Sequence, residues 1–276
     1  MGRTVVVTGA TSGLGREVAG VLAAADWRVV LACRDPVRGR AVAAAIGGDT
    51  LVRPLDLADL ESVRRFADGL HGDVDVLINN AGVMGVPYAA TADGHELHFG
   101  TNHLGPFALT GLLIDRIRDR VVTVSSGLHV LGRLPYRRYR RWLAYASSKL
   151  DNLLFAFELQ RRLTAAGRPT LSLAAHPGVA ATEGQRRDTS LQGKILAGGA
   201  AQSPRSGALP ILHAATAPLA AGGICVGPDG FMQRTGQPTV VRTSRASRDP
   251  ERAAALWKRS EDLTGVRFTR LARASR

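Results

Sequence analysis

Seven short runs of apolar and β-branched residues recur along the chain, and amphipathic stretches separate them. The runs are Arg3–Thr8, Trp27–Cys33, Thr50–Leu57, Val74–Asn79, Arg120–Ser126, Pro169–His176 and Gly222–Gly227. Several are apolar almost throughout, the pattern of parallel strands covered on both faces. Helical periodicity falls near 14–25, 36–46, 59–71, 92–115, 143–166 and 204–216. Strict alternation of this kind demands right-handed crossovers and a parallel sheet. The predicted fold is therefore α/β: one domain over 1–276, a doubly wound seven-stranded parallel sheet with helices on both faces. Two segments stand outside the alternation. Residues 182–202 are polar, glycine-containing and weakly periodic, and read as a flap over a site. The stretch from Asp249 opens with an Asp-Pro helix signal and predicts a helix over 249–264 that ends at Gly265.

Composition narrows the function classes. The apolar fraction of 45% in 276 residues supports a sizeable core, and no run of eighteen apolar residues exists to span a membrane. The first strand begins at Arg3 and leaves no room for a signal peptide, so the cytoplasm is the expected compartment. Two cysteines, Cys33 and Cys225, form neither a disulfide framework nor a metal-ligand pattern, and no metal is expected. The net charge of +13 raises nucleic acid as a partner. Only three of the 36 basic residues are lysines, however, and the arginines are scattered. That reads as solvated faces, with no nucleic-acid surface expected.

The first strand runs into "TGATSGLG", which sets Gly9, Thr11, Ser12, Gly13, Leu14 and Gly15 between a strand and a helix. Glycines there permit a tight turn and let backbone N–H groups approach a pyrophosphate at the positive helix N-terminus. Arg34 ends the next strand, where a guanidinium suits a ribose 2′-phosphate and predicts NADP(H). Asp35 follows at once, and reading the strand end one residue later predicts NAD(H) instead. Asp56, beside Leu57, either accepts from an adenine amino group or caps the following helix. In "INNAG", Asn79 and Asn80 precede Ala81 and Gly82 after the fourth strand. These asparagines either line the cofactor or tie strands together.

Of four tyrosines, only Tyr145 has a lysine four residues on, Lys149, on the same helix face. A phenol must fall about three pH units, or about 4 kcal/mol, to exchange protons near neutrality. One ammonium at ~4 Å in an effective dielectric of ~20 supplies about that much. Ser126 ends the fifth strand, where ligands bind in open α/β sheets, and alternation points Ser125 the opposite way. Asn102 is an unfavourable residue for a helix interior, placed to bend the helix and hold a water near Lys149. Met84, Leu128 and His129 are candidate pocket residues, with a surface position equally open for His129. His176 reads as satisfying backbone groups.

"TGATSGLG", "NNAG", "TNHLG", "VSS", "YASSK" and "HPGVAAT" together, in this order across Thr8–Thr182, resemble the short-chain dehydrogenase/reductase family. With "GPDGF" and the "LWKRSEDLTG" tail, the chain is most similar to the retinol dehydrogenase-like and protochlorophyllide reductase-like branch. The resemblance implies a Rossmann-type fold and hydride transfer between NADP(H) and a carbonyl or alcohol carbon of a small, apolar substrate. It implies Tyr145 as general acid/base, Lys149 as its partner, Ser126 orienting the carbonyl and Asn102 supporting a water relay. Cofactor contacts then extend to Asn80, Ala81, Gly82, Pro177, Gly178, Ala180 and Thr182. Two features depart from the pattern: nineteen residues separate Ser126 from Tyr145, and Glu183 stands where asparagine is frequent. The alternatives are an inactive NADP-binding regulator and an NAD-dependent alcohol dehydrogenase. The apolar Tyr145 helix suggests a homodimer or homotetramer.

Overall fold

A computed structural model describes residues 2–133, 139–179 and 202–271. The strands are β1 (Thr4–Thr8), β2 (Arg28–Cys33), β3 (Thr50–Pro54), β4 (Val74–Asn79), β5 (Ile117–Val124), β6 (Leu171–Ala175), β7 (Cys225–Pro228) and β8 (Pro238–Val241). They form one sheet in the order β3-β2-β1-β4-β5-β6-β7-β8. All neighbours pair in parallel except β7 and β8. The expected seven strands are thus eight. The eighth escapes the periodicity because this edge strand is four residues long and only Val241 is buried.

The helices are α1 (Gly13–Ala24), α2 (Pro36–Ile46), α3 (Leu60–Gly69), α4 (97–113), α5 (Arg141–Ala165), α6 (Pro204–Thr216) and α7 (Pro250–Thr264). Alternate residues of β1 feed two cores. Val5 and Val7 pack with Val18 and Leu22 of α1 and Ile211 of α6. Val6 packs with the layer holding Phe66 of α3, Phe107 of α4 and Phe155 of α5. This two-sided burial is why the runs are apolar at every position.

Some predicted boundaries move, and one helix departs from regular geometry. Pro54 closes β3 because it ends the ladder, which leaves Leu55, Asp56 and Leu57 beyond the strand. The helix expected from 92 starts at Leu97, where the Glu96 side chain accepts from the N–H groups of His98 and Phe99. Within α4, Gly100–Leu104 forms a π-helical turn around Asn102, in place of a simple bend. The tail helix is as expected: Asp249 caps it and Gly265 ends it at φ 68°.

Every residue of α5 from Ala144 to Leu159 is buried by its own chain. Its outer side meets α7, where Leu150 and Leu154 pack on Ala253 and Leu256, and Phe155 stacks on Trp257 at 5.9 Å. Val266 and Phe268 continue this cover over α4. The apolar positions that the sequence offered to a second copy are therefore filled within the chain.

Candidate active site

The chain leaves β1 for one flank of the sheet and β4 for the other, so a crevice opens at their carboxyl ends. It holds a cavity of about 790 Å³, within the range of small-molecule sites. Its floor is the glycine loop. Ser12 sits at the N-cap of α1 without a side-chain capping bond, and the first turn carries no acidic residue. The open N–H groups and positive helix end therefore face the cavity. Gly9 and Gly13 take left-handed φ values of 67° and 51°. A Cβ on Gly15 would strike the Gly9 carbonyl and the Asn80 side-chain amide, so only glycine fits there. Thr11, Ser12 and Leu14 line the same wall.

Thr8 locks this floor to the loop after β4. Its Oγ1 accepts from the N–H groups of Asn80 and Ala81, both at 3.0 Å, and Asn80 Nδ2 donates back to the Thr8 carbonyl. Asn79 turns away and donates to Thr110 of α4 at 3.0 Å. The pair thus divides, with Asn79 tying β4 to α4 and Asn80 facing the cavity. Asn80, Ala81 and Gly82 line the cavity, and Gly82 has no room for a Cβ beside Asn102 Oδ1 and Lys149 Nζ.

On the β2–β3 flank, Arg34, Asp56 and Leu57 line the cavity. Asp35 instead caps α2, accepting from the N–H groups of Val37 and Arg38 at 2.9 and 3.0 Å. Asp56 Oδ1 accepts from the Ala58 N–H at 2.9 Å, a tight local turn, while the cap of α3 is Asp59. The capping alternative for Asp56 is therefore corrected: the helix begins three residues later than its turn.

On the β5–β6 flank, Tyr145 and Lys149 project from the first turns of α5 into the cavity. Ser126 lines the cavity with Tyr145, whereas Ser125 is buried and donates to the Lys149 carbonyl at 2.7 Å. Lys149 Nζ donates to the Val124 carbonyl at 3.1 Å and lies 5.8 Å from the centre of the Tyr145 ring. Burial pushes the Tyr145 phenol up to about 12, with the Ser126 hydrogen bond opposing it. Burial also brings Lys149 down to about 8. The expected fall of the phenol under its lysine is thus reversed in the protein alone. Desolvation of the buried phenol sets this direction.

Asn102 is fully buried. Its Oδ1 accepts from the Val83 N–H at 2.7 Å, and its Nδ2 donates to the Val83 carbonyl and to Ser148 Oγ, both at 2.9 Å. Its side chain is a brace between the loop after β4 and the helix of Tyr145. Trp142 and His98 meet the Tyr145 ring edge-on at 6.1 and 6.2 Å. Tyr139 donates to the carbonyl of Val86, a cavity-lining residue, at 2.8 Å.

Met84 and Leu128 line the cavity as expected. His129 does not, and it is no surface residue either: it is buried, with Nδ1 bonded to the Ser126 carbonyl and Nε2 accepting from the Ser244 N–H. Burial lowers its pKa. His176 accepts from the Gly178 N–H and is held down to about 4 by burial. Pro177 and Gly178 line the cavity; Ala180, Thr182, Glu183 and the flap up to residue 201 lie outside the described residues. The sequence reading missed Trp142 and the trio Met232, Gln233 and Arg234, which also line the cavity. The Gly-Pro-Asp-Gly-Phe turn before the trio was the available signal.

A crevice of this construction belongs to the nicotinamide-dependent oxidoreductases. A family model described as short chain dehydrogenase matches residues 3–191. Human retinol dehydrogenase 12 is 40% identical, over 97% of this chain and 88% of its own. Mouse polyprenol dehydrogenase is 39% identical, over 96% of this chain and 84% of its own. The crystal structure of an uncharacterised protein from Mycobacterium paratuberculosis matches with a TM-score of 0.85 at 50% identity, covering 96% of this chain and 94% of that one. The chain belongs to the short-chain dehydrogenase family and is an NAD(P)-dependent oxidoreductase acting on CH–OH groups. Among the described residues no helix is long and apolar enough to cross a membrane.

Proposed function

We propose that the protein interconverts an apolar aldehyde or ketone and its alcohol with NADP(H), and that Tyr145 is the general acid/base. The observation that carries this reading is the convergence of Ser126, Tyr145 and Lys149 on one cavity beyond the end of β5, with Lys149 one turn further along α5 than Tyr145. The glycine cradle and the uncapped start of α1 fit a dinucleotide pyrophosphate. Arg34 lines the β2 end of the cavity while Asp35 is occupied as a helix cap, which favours a 2′-phosphate over a bare ribose.

When bound, the nicotinamide cofactor donates or accepts the hydride. Tyr145, a phenol that burial keeps well above neutrality, holds the proton that the substrate oxygen needs during reduction. Ser126 donates a hydrogen bond to the same oxygen as its charge grows. Lys149 stays fixed by the Val124 carbonyl, and its charge favours the tyrosinate that proton donation leaves. Asn102 keeps the loop and the helix in register. Val83, Met84, Val86, Pro87, Leu128 and Trp142 give the substrate side an apolar wall. Relatives named for retinol and polyprenol, both long apolar alcohols, support that substrate class.

The test is NADPH oxidation with a series of long-chain aldehydes, run beside Tyr145→Phe. A loss of roughly 10²–10⁴ in kcat is expected, with NADPH binding unchanged. Equal turnover by the two proteins would remove Tyr145 from the chemistry.

A further inference from the structure

Three non-glycine residues among those described have positive φ, and two of them are adjacent: Met232 at 51° and Gln233 at 56°. Both line the cavity, in the turn between β7 and β8. Side chains other than glycine seldom take this conformation, and where they do the surrounding structure must enforce it. Gln233 is enforced through its own amide. Its Oε1 accepts from His176 Nε2 at 2.9 Å, and its Nε2 donates to the Arg242 carbonyl at 3.1 Å, beyond the end of β8.

His176 is buried, and with Nε2 donating to Gln233 its Nδ1 is free to accept from the Gly178 N–H at 3.2 Å. The next peptide is held from the same turn, because the Val179 N–H donates to the Arg234 carbonyl at 2.8 Å. Gly178, at φ 67°, has no room for a Cβ against that carbonyl. The loop leaving β6 is therefore positioned by the β7–β8 turn as well as by its own strand. Pro177–Val179 and Tyr145 occupy the β5–β6 flank of the cavity, opposite the Arg34 flank across the glycine loop.

We infer that Gln233 is a positioning residue for the nicotinamide half of the cofactor, acting through His176 and Gly178 on the loop after β6. This rests on the reading that places the reacting end of the cofactor beside Tyr145. A glutamine that only stabilised its hairpin would affect both halves of the cofactor alike, or neither.

The experiment is calorimetric titration of the full-length protein with NADPH and, separately, with the adenosine half alone (2′,5′-ADP). Gln233→Gly relieves the left-handed backbone while deleting the amide, so it folds without the strain of the parent. NADPH affinity is expected to fall about tenfold, the effect of a lost hydrogen bond to a buried partner, while 2′,5′-ADP affinity stays within about twofold. Gln233→Glu keeps an acceptor for His176 Nε2 and is expected to recover most of the NADPH affinity. The inference is overturned if Gln233→Gly binds NADPH as the parent does, or if both ligands weaken in proportion. A parent protein that bound 2′,5′-ADP but not NADPH would overturn the placement of the nicotinamide half, a result separable from either of these.

Discussion

Lys149→Met is expected to make the protein more stable and less active at once. The lysine is 5% exposed, and burial brings its pKa to about 8 from the usual 10.5. Below pH 8 both folded and unfolded chains carry the charge, and the folded one carries it at a cost of about 3 kcal/mol. Between pH 8 and 10.5 the unfolded chain binds more protons, so stability rises with pH and the cost disappears above 10.5. Methionine has similar length and no charge. It forfeits one hydrogen bond to the Val124 carbonyl, about 1 kcal/mol, but Asn152 Nδ2 still serves that carbonyl at 3.0 Å. The net gain at pH 7 is about 2 kcal/mol, or about 5 °C in Tm. At pH 9.5 the charge cost shrinks to about 1.4 kcal/mol, and the gain nearly vanishes. Thermal unfolding followed by circular dichroism at both pH values measures the difference. Asp151, also buried and raised to about 8, is common to both proteins and cancels. A variant less stable than its parent at pH 7, or equally advantaged at both pH values, would refute the reasoning. Turnover is expected to collapse in the same variant, because Tyr145 loses its cationic partner.

Gly15→Ala is expected to weaken NADPH binding more than tenfold by calorimetry, since its methyl meets the Gly9 carbonyl and the Asn80 amide. Arg34→Ala is expected to raise the KM for NADPH about tenfold and leave that for NADH unchanged, the loss of one charge-assisted contact. Trp257→Ala is expected to cost roughly 3–5 kcal/mol in denaturant unfolding, because the ring is 2% exposed and wedged between Phe107, Phe155 and Phe268.

The sheet, the glycine loop and the Tyr145–Lys149 pair were legible because each has a local signature: a run, a spacing, a helix face. What escaped depends on neighbours distant in sequence. The choice between Arg34 and Asp35 turns on which side chain the start of α2 captures, and Asp35 lies where it accepts two N–H groups. The direction of the Tyr145 shift needs its burial, and a spacing of four residues cannot report burial. His129 read as a pocket or surface residue because its partners, the Ser126 carbonyl and the Ser244 N–H, include one 115 residues away. The strand β8 was missed since only one of its residues is buried, and the π-helical turn at Asn102 leaves no mark in composition.

The cover that α7 and Val266–Leu271 lay over α4 and α5 also orders events in synthesis. Residues 141–159 are made long before residues 250–271, yet Leu150, Leu154 and Phe155 reach full burial only against the later segment. Until it emerges, a nascent chain carries the Tyr145–Lys149 helix with one apolar side uncovered. Contacts of such sequence separation close late and leave the intermediate prone to association. Slow translation between these two segments is therefore expected to lower the yield of soluble enzyme, while the parts of the sheet made earlier fold undisturbed.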